Sequence, residues 1–109
     1  MGVAQKVLGQ SAPGAATLTS LYTVPALTSA TASTIMVCNQ SATATAFRIA
    51  VRPAGAGITA SQYLYYDVAI AGNDTFAATI GITLATTDVV SVYATLATLS
   101  FSLFGVETT

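Results

Sequence analysis

Residues 46–52 alternate without a fault: Phe47, Ile49 and Val51 fall on one parity, and Arg48, Ala50 and Arg52 on the other. A period of two is the signature of a strand with one face buried. Elsewhere β-branched residues, Tyr and Phe dominate the apolar runs, and no long segment repeats at the 3.6-residue period of a helix. Clusters of Gly, Pro, Asn, Asp and Ser break the runs roughly every ten to fifteen residues, a spacing expected of a sandwich. The chain therefore reads as all-β.

Along the chain, residues 4–8 form an edge strand that ends at Gln10-Ser11-Ala12-Pro13-Gly14, and residues 17–24 form a second strand with a bulge near Tyr22, closed by Pro25. Residues 33–39 read as a central strand buried on both faces, because Ile35, Met36, Val37 and Cys38 leave neither side polar. Residues 46–52 follow, then a flexible connection opening with Pro53-Ala54-Gly55-Ala56-Gly57. In residues 63–70 the core parity is expected to be Leu64, Tyr66, Val68 and Ile70, with Tyr63, Tyr65 and Asp67 opposite. A turn at Ala71-Gly72-Asn73-Asp74 leads to residues 75–80, and Gly81 interrupts before Ile82-Thr83-Leu84. Strands at 89–94 and 99–106 complete a set of about eight, the number of a jelly roll. The expectation is one antiparallel, jelly-roll-like β-sandwich domain over residues 1–109, with 1–16 as an N-terminal edge strand or arm.

Charge narrows the function. Only 6% of the 109 residues are charged, whereas soluble domains carry about a quarter. Lys6, Arg48 and Arg52 face Asp67, Asp74, Asp88 and Glu107, for a net charge of -1. Three scattered cations make no basic stripe, so no nucleic-acid partner is expected. Mean hydropathy is +0.70, yet no apolar run approaches the roughly 18 to 20 residues of a membrane span, so no membrane partner is expected either. No secretory leader is read at the start, and Lys6 at the sixth position departs from the myristoylation pattern after Gly2. Cys38, the one cysteine, reads as a small buried thiol.

Catalysis lacks raw material. There is no histidine to serve a nucleophile or bind a soft metal. The carboxylates show no paired spacing, and Asp74 and Asp88 read as turn organisers rather than calcium ligands. No phosphate-binding glycine motif is present. The chain is expected to be no enzyme, with no cofactor and no metal.

Two groups remain as contact surfaces. Arg48 and Arg52 sit about 13 Å apart on one strand face, placed to grip a neighbour's carboxylates or to pair across strands with Asp67. Tyr63 and Tyr65, with Asp67, have the composition of an interface anchor or a sugar-stacking platform, and the protein interface is favoured. An uncharged sandwich edge also invites pairing, so at least one edge or face is expected to be covered by a partner subunit.

Several stretches carry a likeness. These are Tyr22-Thr23-Val24-Pro25-Ala26, Ile35-Met36-Val37-Cys38-Asn39-Gln40-Ser41, Phe47-Arg48-Ile49-Ala50-Val51-Arg52-Pro53-Ala54-Gly55, Tyr65-Tyr66-Asp67-Val68, Asn73-Asp74-Thr75, and Gly81-Ile82-Thr83-Leu84 leading to Asp88-Val89-Val90-Ser91-Val92-Tyr93. Over residues 17–105 the chain resembles small structural proteins of tailed bacteriophages. The resemblance implies a β-sandwich made in the bacterial cytoplasm and placed on the virion's capsid surface. It implies a decoration or cement protein bound to the major capsid protein, acting as a dimer or trimer. A tail, collar, baseplate or fibre-attachment module is the alternative, and a carbohydrate- or ice-binding module a second.

Overall fold

The structure is a computed structural model and describes residues 2–109. Eight strands follow one another: β1 (Val3–Ser11), β2 (Thr19–Thr23), β3 (Ser29–Asn39), β4 (Thr45–Arg52), β5 (Tyr63–Ile70), β6 (Thr75–Leu84), β7 (Val89–Ala94) and β8 (Leu99–Thr108). They form two four-stranded antiparallel sheets, β1-β8-β3-β6 and β2-β7-β4-β5. The pairs β1·β8, β2·β7, β3·β6 and β4·β5 nest inside one another, as in a long hairpin ribbon wound over itself. The contacts β3·β8 and β4·β7 knit the ribbon into its two sheets. The expected all-β antiparallel sandwich of eight strands is what the chain forms.

Side chains from the facing inner surfaces make one core. Ile35, Val37, Phe101 and Leu103 from the first sheet meet Phe47, Ile49, Val90 and Val92 from the second, all fully buried. At one end Phe47 packs against Phe76 with ring centroids 5.0 Å apart and against Phe101 at 6.3 Å. Asn39 is buried there with its polar atoms occupied. Its Nδ2 donates to the carbonyls of Thr43 and Ala71, and its Oδ1 accepts from the Ser41 amide, so one side chain binds the β3–β4 turn to the β5–β6 turn.

Three expectations need correction. The 33–39 strand is central, but β3 alternates: Ile35 and Val37 are fully buried, whereas Met36 is 37% exposed and Cys38 half-buried. Its outer face is uncovered within the chain, so apolar character there does not mean burial. The bulge near Tyr22 is present between Ser20 and Tyr22. In β5, however, Tyr63 lies outward as expected but the parity is reversed from Leu64 to Tyr66. Tyr66, expected in the core, is 58% exposed and Leu64 45% exposed, while Tyr65 turns inward against Phe47 and Phe76. Two register shifts against β4 cause this: Phe47 pairs with Val68, Ile49 with Tyr65 and Ala50 with Tyr63, leaving Leu64 and one of Tyr66 and Asp67 as extra residues. Asp67 takes a positive φ of 51° to make the bulge.

The stretch after β4, expected to be loose, is folded onto the outer face of the second sheet. It forms 3-10 turns at Pro53–Gly55 and Ala60–Gln62. Asp88 holds it by accepting from the Ala54 amide with one carboxylate oxygen and from the Ala85 amide with the other, each at 2.9 Å.

Candidate functional site

On the outer face of the second sheet, Arg48 lies between two aromatic rings. Its guanidinium carbon is 4.1 Å from the centroid of Tyr66 and 4.3 Å from that of Tyr93. Nε donates to Asp67 Oδ1 at 2.6 Å and an η nitrogen to Oδ2 at 3.3 Å. The hydrogen bonds to the Asp67 carboxylate raise the guanidinium's affinity for its proton further above an already high value. The β5 bulge makes this cluster possible by placing both Tyr66 and Asp67 outward opposite Arg48. The cross-strand contact with Asp67 is thus the geometry Arg48 adopts.

Arg52 is also engaged within the chain. Nε donates to Ser91 Oγ at 3.1 Å, and its other nitrogens reach Ser20 Oγ and the Ala56 carbonyl. One side chain therefore spans β2, β7 and the folded loop. The paired guanidiniums brace the chain's own surface rather than standing free on it.

Tyr63 shares the outer row with Ala50, Ser91 and Ser20, and its ring meets that of Tyr66 edge-on at 4.9 Å. Together with Ile58, Thr59 and Ala60 they line a groove of about 540 Å³. Gln62 accepts from the Thr59 amide and fixes the groove's far wall. Of the expected residues, Arg48, Tyr63 and Asp67 gather here, Arg52 stands at the other end of the face, and Tyr65 faces the core. Tyr66, which alternation alone had assigned to the core, is exposed here, and Ile58 joins it from the loop after β4.

The first sheet presents a second surface of different chemistry. Paired residues of neighbouring strands share a face, so its outward rows can be read across the sheet. Gln5, Val106, Thr31 and Thr83 make one row, and Val7, Phe104, Thr34 and Thr79 the next. Gln10, Ser102, Met36 and Ala77 follow, then Ser100, Cys38 and Thr75. All are exposed or half-exposed, and none is an Asp, Glu, Lys or Arg. No sequence pattern announced this face, because its rows draw on four strands far apart in the chain.

Asp74 and Asp88 each organise a turn, with Asp74 Oδ1 accepting from the Thr75 amide. Among the described residues no three His, Cys, Asp or Glu side chains gather at a metal-binding spacing. No helix among them is long and apolar enough to cross a membrane. Comparison with protein-family models, curated proteins and solved structures finds no match to this chain.

Proposed function

We propose that this chain is a non-enzymatic structural protein of a tailed-phage virion, a decoration or cement protein that binds the folded shell of the major capsid protein. The nested strand pairing supports a jelly-roll reading, and viral capsid and lectin domains are built on folds of that kind. Fold alone does not set function, so the surface must carry the argument. The carrying observation is the outer face of the first sheet, a run of hydroxyl, amide and apolar side chains without a charge. A domain living alone in water ordinarily intersperses charge over its surface. A component completed by its neighbours does not need to.

Binding to many copies of a folded shell stabilises that shell by mass action, and no chemistry is required. The groove of Tyr63, Tyr66 and Ile58 supplies a second contact of the kind that anchors interfaces, with aromatic rings already held in place by Arg48. The decisive experiment is cryo-EM of purified particles that contain this chain, with its copy number counted by quantitative mass spectrometry. The expected result is density at repeated positions over the head. Density confined to the collar, baseplate or fibres makes the chain a tail module instead, and absence from particles overturns the reading.

A further inference from the structure

We propose that the uncharged outer face of the first sheet joins two copies of this chain back to back about a twofold axis. The inference rests on the reading that this face is covered by protein, and it names the cover.

A twofold contact places every residue against the same surface, so the surface must be its own complement. A charge meets that condition less readily, because on the axis it faces its own like and off the axis it needs an opposite charge placed against it. Hydroxyl and amide side chains meet it, since Ser, Thr and Gln both donate and accept hydrogen bonds. Every polar side chain in the outward rows that cross β1, β8, β3 and β6 is one of these three. The second sheet lacks this property: its outer face carries Arg48 and Arg52, which only donate, and it is already covered in part by the chain's own loop.

Arrangement and size agree. Val7, 48% exposed, and Met36, 37% exposed, lie beside half-buried Phe104 and Val106, with Thr and Gln around them. An apolar centre with a polar rim is the anatomy of a specific interface. Two shallow hollows flank this centre. One, of about 450 Å³, is lined by Gln5, Lys6, Ser33, Phe104, Gly105 and Val106, with the Lys6 ammonium turned to Glu107. The other, of about 380 Å³, lies over Gln10, Ser100 and Ser102. These hollows would receive the protruding Val7 and Met36 of a second copy. Four strands at the usual spacing and rise offer about 600 Å² per copy, roughly 1,200 Å² in all, the lower range of stable specific interfaces.

The test is sedimentation velocity on the full chain across micromolar concentrations, at low and high salt. A dimer is expected, with its dissociation constant changing by less than about twofold with salt, because the one charged side chain beside the contact, Lys6, is already paired with Glu107 of its own chain. Met36→Glu with Thr34→Glu should give monomers with an unchanged circular dichroism spectrum, whereas Ala69→Glu on the second sheet should leave the dimer intact. Cys38 lies in the proposed contact, so maleimide should label it several-fold more slowly in the dimer than in the Met36→Glu, Thr34→Glu protein. A monomeric wild type, or a dimer that survives the two glutamates, overturns the inference. If such a monomer still decorates heads, the shell-binding reading stands without it.

Discussion

The Tyr22 hydroxyl donates to Glu107 Oε2 at 2.5 Å, and the same carboxylate accepts from Lys6 Nζ through Oε1 at 3.1 Å. Tyr22 stands on β2 of one sheet, while Glu107 and Lys6 stand on β8 and β1 of the other. The three side chains therefore clasp the sandwich at one end. The hydrogen bond from Tyr22, then that from Lys6, holds the Glu107 carboxyl below the usual carboxylate range. Burial, reinforced by the hydrogen bond to Glu107, pushes the Tyr22 phenol well above its ordinary value.

The signs of these shifts set a pH window. Glu107 stabilises the fold above its ordinary pKa, and that contribution is lost as pH falls through its depressed value. Tyr22 stabilises the fold below the ordinary phenol pKa of about 10, and its contribution is lost as pH rises through the elevated folded value. Tyr22→Phe should cost about 1.5 to 3 kcal/mol, the range for a hydrogen bond to a charged group. Urea unfolding of the two proteins from acid to alkaline pH measures this, and the difference should shrink at both extremes. A difference independent of pH would assign the loss to packing.

Gly105 carries a sharper demand. A Cβ there would stand 2.2 Å from the Thr31 carbonyl oxygen and 2.8 Å from Ala32 Cα, both in the backbone of neighbouring β3. Neither can move without breaking the ladder between β3 and β8. Gly105→Ala should therefore destabilise by about 3 kcal/mol or more, the scale of severe overpacking. Gly81→Ala is the control, since a Cβ there meets nothing within 4 Å. Thermal melts of the two variants should differ by many degrees.

These features differ in how far residue order reveals them. The strands of this chain are legible because period-two alternation and turn residues are local, and residues 63–70 and 89–94 coincide with β5 and β7. The face each residue takes is less so. In Tyr63-Leu64-Tyr65-Tyr66 both parities are apolar, so alternation runs equally well in either phase. The bulges that decide between them arise from pairing with β4. Met36 and Cys38 mislead for a related reason: an apolar residue on an open face looks like one in the core. The Tyr22, Glu107 and Lys6 clasp joins residues up to 101 positions apart. No local pattern marks it.

Leu27 offers a test in the opposite direction. It takes a φ of 57° in the turn between β2 and β3 and is 91% exposed. A leucine held in the left-handed region costs about 1 to 2 kcal/mol, and at this exposure its side chain recovers little through packing. Leu27→Asn should raise stability by about 0.5 to 1 kcal/mol, because Asn tolerates this conformation. The gain should appear as an increased urea midpoint with an unchanged slope. A neutral or negative result would overturn the argument that the left-handed conformation strains Leu27 in this turn.

Arg48 separates positioning from contact on the second sheet. Lysine at this position keeps the charge and can still reach Asp67, but it loses the planar stack between Tyr66 and Tyr93 and the two-pronged hold on the carboxylate. Cation–π contacts at such exposure are worth about 0.5 to 1 kcal/mol each, so Arg48→Lys should lower stability by about 1 kcal/mol. Tyr66→Ala, in contrast, removes a ring that is 58% exposed and should cost a similar amount or less. If the groove grips the shell, however, Tyr66→Ala should reduce head occupancy at least tenfold, with Arg48→Lys falling between it and wild type. Occupancy is read by densitometry of particles after sedimentation, alongside the urea midpoints. Equal occupancy for all three proteins would remove this groove from the shell contact and leave Arg48 as a brace for the β5 bulge alone.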